Sequence, residues 1–235
     1  MKVLALDLST KTGWAFFKDA QLFEYGLIEK NKPFEEYGEY PYNFIKVANE
    51  LVDKIGSVIV LKTPDVLVVE ETNKTGRFGS RHSQKILEFI HCLLVKRWGL
   101  AIPIKYVNTS DWRKQLKLSV ADTKKMAKPL LKELKRLKGE FAKAAKADKK
   151  TAKAALDAHK KTLKDKCIHG KIDKKSISVA FVNLNFKLAL KKGDNDMSDA
   201  ICLGEAYKRG VKTLTNKDIF EHEDKTVLQP SSGSL

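Results

Sequence analysis

The sequence predicts an α/β domain, a five-stranded sheet flanked by helices and interrupted by a Lys/Ala-rich helical insertion. Three features point there: short apolar runs of strand length, longer stretches with 3.6-residue periodicity between and after them, and one abrupt change of composition from residue 118 to 170. With 235 residues, 43% of them apolar, the chain is long enough to bury the core of one domain carrying an insertion.

Residues 2–7 (KVLALD) read as a buried strand, Thr12 and Gly13 as a turn, and 14–17 and 22–28 as two further strands of an antiparallel meander. From Tyr42, the residues Phe44, Ile45, Val47, Ala48, Leu51, Val52 and Ile55 keep helical spacing. After Pro64, VLVVE is a short apolar run suited to a central strand. Ser83 to Trp98 is helical again, with Ile86, Leu87, Ile90, Leu93 and Leu94 as its apolar residues, His91 packed among them, and more than one side available for packing. IPIKYV supplies the fifth strand and SDWRKQL a short helix, and two closing helices cover roughly 175–190 and 198–209. The expected organisation is a core over 1–117, an insertion over 118–170, closing helices over 171–215 and a frayed tail over 216–235.

Lys+Arg 45 against Asp+Glu 29 gives +16, which favours a polyanionic partner, nucleic acid first. The charge is not spread evenly. Between Lys114 and Lys175 stand 21 basic and 7 acidic residues, +14 of the +16. This segment is rich in Ala, Lys and Leu, and no Gly or Pro falls between Phe141 and His169, so it predicts helices, divided at Gly139. Its apolar stripe is Ala127, Leu130, Leu131, Leu134 and Leu137, continued more thinly by Phe141, Ala144, Ala152, Ala155, Leu156 and Leu163. It reads as a grip on substrate; the alternative is a solvated hairpin whose lysines keep it soluble. Cys92, Cys167 and Cys202 form no C-x-x-C pair, against a disulfide framework or a zinc cluster. No secretory signal or membrane span is visible, so a soluble cytoplasmic protein is expected.

The carboxylates carry the chemistry. Asp7 ends an otherwise apolar strand, where a charge is costly unless it faces a cleft or a cation. Glu70 and Glu71 end another, and both faces of VLVVE are apolar, so spacing does not choose between them. In DNDMSDA, Asp196 and Asp199 stand three apart at a helix start, projecting from one face. The same cluster reads equally as helix-capping residues. If the three sites converge, a set of carboxylates without a thiol or imidazole pattern suits Mg²⁺ or Mn²⁺ rather than zinc.

LALDLSTKTGWAFF resembles the first motif of the RuvC-like Holliday junction resolvases, PDVLVVEET the second and DMSDAICLGEAY the closing one. The insertion and the divergence look like those of a phage or viral member, working in a bacterial or phage-infected cell. The resemblance implies an RNase H-like fold, a homodimer, and an endonuclease that cuts symmetrically across a four-way DNA junction by two-metal hydrolysis. It selects Glu70 over Glu71 and implies that Asp7, Glu70, Asp196 and Asp199 are catalytic and hold two Mg²⁺ (or Mn²⁺) ions per site. The sequence departs from the bacterial pattern at Leu8-Ser9-Thr10, in place of Pro-Gly-Ser, and at Asn73, in place of an aromatic residue, for which Phe78 is the candidate substitute. Arg77 and Arg81 are candidate junction contacts, and Lys174 and Lys175 candidate holders of the scissile strand's phosphates. The rival readings are an RNase H-like nuclease acting on flaps or RNA–DNA hybrids, and a non-catalytic basic DNA-binding protein.

Overall fold

The computed structural model describes residues 1–71, 81–165 and 172–215. Its centre is one mixed sheet in the order β3-β2-β1-β4-β5-β6, formed by β1 (Lys2–Asp7), β2 (Lys11–Lys18), β3 (Gln21–Glu29), β4 (Val66–Glu70), β5 (Ile104–Val107) and β6 (Leu214–Thr215). The first three strands form the expected meander, and β4 and β5 lie parallel to β1. This is the expected mixed five-stranded sheet flanked by helices, extended by a two-residue β6 that pairs antiparallel with β5.

Alternation along the strands sends two sets of side chains to opposite faces. Leu4, Leu6, Leu67 and Val69 meet α1 (Tyr42–Lys62) and α2 (Arg81–Trp98), which bury Phe44, Val47, Leu51, Ile55, Ile86, Ile90 and Leu94. Of the residues expected on the apolar face of α1, Ile45 alone is turned outward. Val3, Ala5, Ala15, Phe17, Val66 and Val68 face α3 (Thr109–Gln115), α6 (Lys174–Phe186) and α7 (Asn195–Lys208). On that face α7 presses against β2. A Cβ at Gly204 would meet the Phe17 ring at 2.3 Å, and one at Gly13 would meet the Asp196 carbonyl oxygen at 2.0 Å.

Gly13 therefore corrects the sequence reading. Thr12 and Gly13 are strand residues within β2, and the turn is Leu8 to Thr10. The buried Thr12 hydroxyl closes that turn, donating to the Ser9 carbonyl (2.9 Å) and accepting from the Ser9 N–H (3.2 Å). Glycine is needed at 13 for the close approach of α7, not for a reversal of the chain.

Gly139 does not divide two helices either. It lies within α4 (Val120–Lys143), which Ser119 caps by accepting from the Asp122 N–H (3.2 Å), and the break comes at 144–148, before α5 (Lys149–Asp165). One mid-helix glycine costs only about 1 kcal/mol relative to alanine, which its neighbours in a long amphipathic helix offset. The two helices pack together through Ala127, Leu130, Leu134 and Leu163, while Leu131 of the expected stripe is exposed. The penultimate helix stops at Phe186 rather than 190, because Lys187 takes a left-handed conformation and Asn183 binds both the N–H and the carbonyl of Leu190. Among the described residues no helix is long and apolar enough to cross a membrane.

Candidate active site

Strand register assembles the site before any side chain is considered. Leu6 pairs with Val69 in parallel β1 and β4, so the next residues, Asp7 and Glu70, end adjacent strands about 4.8 Å apart. Val66, Val68 and Glu70 share the face that meets α7, which resolves the parity left open by sequence. On its other side Asp7 pairs with Gly13, and the backbone of Asp196 rests on Gly13. Glu70, Asp7 and Asp196 thus follow one another across the ends of three neighbouring elements, with Asp199 one turn further along α7. Neither aspartate of α7 is spent on capping. Asp194 takes the N-cap position, and the Ser198 hydroxyl donates to the Asn195 carbonyl (2.8 Å).

The electrostatics bear the marks of convergence. Burial, then the charges of Glu70, Asp199 and Asp196, hold the Asp7 carboxyl well above the ordinary range, against the opposing pull of Arg113. Burial pushes Asp199 up to about 6, opposed by Arg113 and Ser178 and reinforced by Glu70 and Asp196. Asp196 is raised by burial, with Lys175 and Lys11 opposing.

One short helix grips two of the four carboxylates. Asn108 caps α3, accepting from the Ser110 N–H (2.9 Å), and sets Thr109, Trp112 and Arg113 on one face at i, i+3 and i+4. The Thr109 hydroxyl donates to one oxygen of Glu70, and Trp112 Nε1 donates to the other at 3.0 Å. Arg113 Nη2 lies 3.2 Å from both oxygens of Asp199, while its Nη1 reaches the Ser178 hydroxyl (3.0 Å) and the Lys174 carbonyl (3.2 Å). The Arg113–Asp199 pair is buried, with side-chain exposures of 11% and 13%, and the guanidinium sits 4.1 Å from the Trp112 ring centroid. Charge-assisted bonds of this kind fix both carboxylates.

The chain is structurally similar to RuvC. Thermus thermophilus RuvC in complex with a Holliday junction substrate aligns with a TM-score of 0.48 and 11% identity, over 91% of this chain and 99% of that one. A second structure of T. thermophilus RuvC gives 0.47 and 12%, over 91% and 100%. The yeast mitochondrial Holliday junction resolvase Ydc2 gives 0.43 and 12%, over 88% and 77%. No family model matches the chain, and no curated protein does.

Of the residues singled out in the sequence, Asp7, Glu70, Asp196 and Asp199 come together. Glu71 does not join them: its N–H donates to the Val107 carbonyl (2.8 Å) and its Oε2 accepts from Asn108 (3.2 Å), in a separate depression that Lys212 also lines. Lys174 and Lys175 open α6 exposed, and Lys175 is near enough to act on Asp196. Arg77, Phe78 and the side chain of Arg81 lie outside the described residues, as do Cys167 and the segment 216–235. Thr109, Trp112 and Arg113 were missed. Their one signal is the T-x-x-W-R spacing in a helix that directly follows the strand beside Glu70.

The donor set, four carboxylates from three elements, suits a hard divalent cation by its chemistry. Among the described residues no three acidic, histidine or cysteine side chains form a ready cradle for an ion, and two of the four carboxylates are engaged by α3. Arg113 is the positive group standing among them.

Proposed function

We propose that this chain is a structure-selective endodeoxyribonuclease that resolves four-way DNA junctions by metal-dependent phosphodiester hydrolysis. The observation that carries the reading is the convergence of four sequence-distant carboxylates, Asp7, Glu70, Asp196 and Asp199, at the ends of β1 and β4 and the start of α7, in a chain of net charge +16. A protein that only bound phosphate would gain nothing from clustering negative charge. That separates this reading from a purely architectural DNA-binding protein.

Asp7, Glu70, Asp196 and Asp199 would hold two Mg²⁺ (or Mn²⁺) ions, which when bound would supply an activated water and neutralise the leaving 3′ oxygen. The rest falls to the chain itself. Thr109 and Trp112 orient Glu70, Arg113 restrains Asp199, and the tight seat of Asp196 on Gly13 sets the distance between α7 and β1. Lys174 and Lys175, at the mouth of this cluster, hold the phosphates of the scissile strand, and Arg77, Phe78 and Arg81 contact the junction. Two symmetric cuts need two such sites, hence a homodimer, for which α2 with its part-exposed Phe89 offers the seam.

The test is a panel of a mobile four-way junction, a flap, a replication fork and an RNA–DNA hybrid, each incubated with the protein with and without Mg²⁺ or Mn²⁺. Paired, metal-dependent nicks in the junction are expected. Cutting confined to hybrid or flap would transfer the site to the related nuclease reading, and no cutting of any substrate would remove the enzymatic one.

A further inference from the structure

We propose that α4 carries a ridge of four lysines that grips the backbone of a duplex DNA arm leading away from the cleavage site. The inference rests only on the DNA-binding part of the function proposed above.

Ala127, Leu130, Leu134 and Leu137 hold one side of α4 against α5 or half-bury it. On the opposite side Lys124, Lys128, Lys132 and Lys135 recur at i, i+4, i+8 and i+11, all exposed. At 1.5 Å per residue they form a single file about 16 Å long. A duplex carries one phosphate charge per roughly 1.7 Å of axis, counting both strands, so the stretch alongside a file of that length carries about ten of them, part of which face it.

The acidic residues of α4, Asp122 in its first turn and Glu133 and Glu140 further along, stand off this file. Glu133 and Glu140 flank it, and both are taken up by Arg136, through a bond of 2.6 Å to Glu133 and a second contact to Glu140. The strongest cation of the helix is thereby neutralised within the helix. The four lysines of the file have no acidic partner among the described residues. A face kept only for solubility would have no need to separate its charges in this way. This one leaves an uninterrupted positive edge and confines the negative residues to its border.

The hairpin also leaves and rejoins the fold at the candidate site. It departs four residues after α3, which holds Glu70 and Asp199, past the buried Leu116 and Leu118, and the chain returns into α6, which starts at Lys174. Its first file lysine lies five residues into α4. DNA held by the file is therefore held beside the cluster.

The experiment compares the full-length parent with a Lys124→Gln/Lys128→Gln/Lys132→Gln/Lys135→Gln variant, binding four-way junctions with arms of about 8 and about 20 base pairs over a range of salt, without divalent cation. Gln keeps the helix propensity, and circular dichroism and a melting curve check the fold. Each contact contributes about 0.9 to the slope of log K against log salt, so four contacts contribute up to about 3.6. The variant should lose about 2 units or more of slope, together with the parent's gain in affinity from longer arms. Arg136→Gln should leave the slope close to that of the parent. A loss smaller than about 2 units overturns the proposal. If the quadruple variant fails to fold, Lys128→Gln and Lys132→Gln separately should each lower the slope by about 0.9, and an unchanged slope in both overturns it. Because binding is read without cutting, a parent that grips long arms yet cleaves nothing would remove the nuclease reading and leave the ridge standing.

Discussion

Gly13→Ala should disable the site from within the sheet without replacing any carboxylate. The new Cβ would lie 2.0 Å from the Asp196 carbonyl oxygen, 2.3 Å from its carbonyl carbon and 2.8 Å from the Met197 nitrogen. All three atoms are backbone, so no rotamer change relieves the overlap. Ordinary contact begins near 3.4 Å, so the start of α7 must retreat from β2 by up to about 1.4 Å, carrying Asp196 away from Asp7. Overpacking of this kind costs about 1–3 kcal/mol, or roughly 2–12 °C in melting temperature for a chain of this length. A displacement of about 1 Å at reacting groups costs on the order of 100-fold in rate. Single-turnover cleavage of saturated four-way junction should therefore fall about 100-fold, with junction affinity unchanged. Gly204→Ala is the comparison. Its Cβ meets the buried Phe17 ring at 2.3 Å, at the far end of the same helix, so it should cost similar stability while most of the cleavage survives at temperatures where the protein is folded. A Gly13→Ala protein that cuts at the parental rate, or that loses no more activity than Gly204→Ala, would refute the reasoning.

Three further outcomes follow from the same geometry. Asp7→Asn, Glu70→Gln, Asp196→Asn and Asp199→Asn should each abolish or severely reduce cleavage in gel assays while junction binding persists, and Glu71→Gln, whose side chain is held by Asn108, should be mild. Substantial Mg²⁺-dependent cutting by Asp7→Asn would sink the metal role. Thr109→Val removes one of the two donors on Glu70 at nearly constant volume and should lower single-turnover cleavage about tenfold, at a stability cost of about 1–3 kcal/mol seen in urea titration. Cleavage at the parental rate would show that the hydroxyl does not position Glu70. Without metal, the raised carboxyls give the folded protein a proton-linked stability that is fully present below about pH 4, the unfolded value, and is lost as the pH rises through the folded values, about 6 for Asp199. Asp7→Asn removes its share of that loss, so it should melt above the parent at pH 7.5 in EDTA, with the gap narrowing toward pH 4.5. A lower melting temperature than the parent at pH 7.5 would contradict the clustering.

The parts of the fold legible in the sequence are those written in local pattern. Five strands, the helices at Phe44 to Ile55 and Ser83 to Trp98, and the order of elements all follow from periodicity, because one buried face imposes a 2.0 or 3.6 repeat on the chain. Gly13 was misread because the same residue serves a turn and a close approach, and only the neighbour, α7, tells which. Gly139 misled for a related reason, since propensity is a weak prior against a helix whose apolar seam runs through it. The carboxylates were visible as types at element ends, but Glu70 was separated from Glu71 only by register, which is a property of β1 and β4 together. Thr109, Trp112 and Arg113 left almost no trace, because their role lies in what they reach on other elements.

The segregation of charge gives these parts a common logic. On the proposed function, four carboxylates would repel the phosphate they act on, and at physiological salt that repulsion extends only about 8 Å, so it would be felt mainly at the site itself. The attraction that brings DNA there must therefore be strong, and it must be built far enough away that it does not pair with the carboxylates and quench them. Placing 21 basic residues in a segment that leaves and re-enters the fold at the edge of the cluster would meet the first demand, although Lys175, the last of them, does act on Asp196. Within the cluster, by contrast, one buried guanidinium is enough. Arg113 opposes the elevation of both Asp7 and Asp199 without cancelling it, for burial and the neighbouring carboxylates together keep both raised. An incoming divalent cation would offset both the burial and the crowding of these charges.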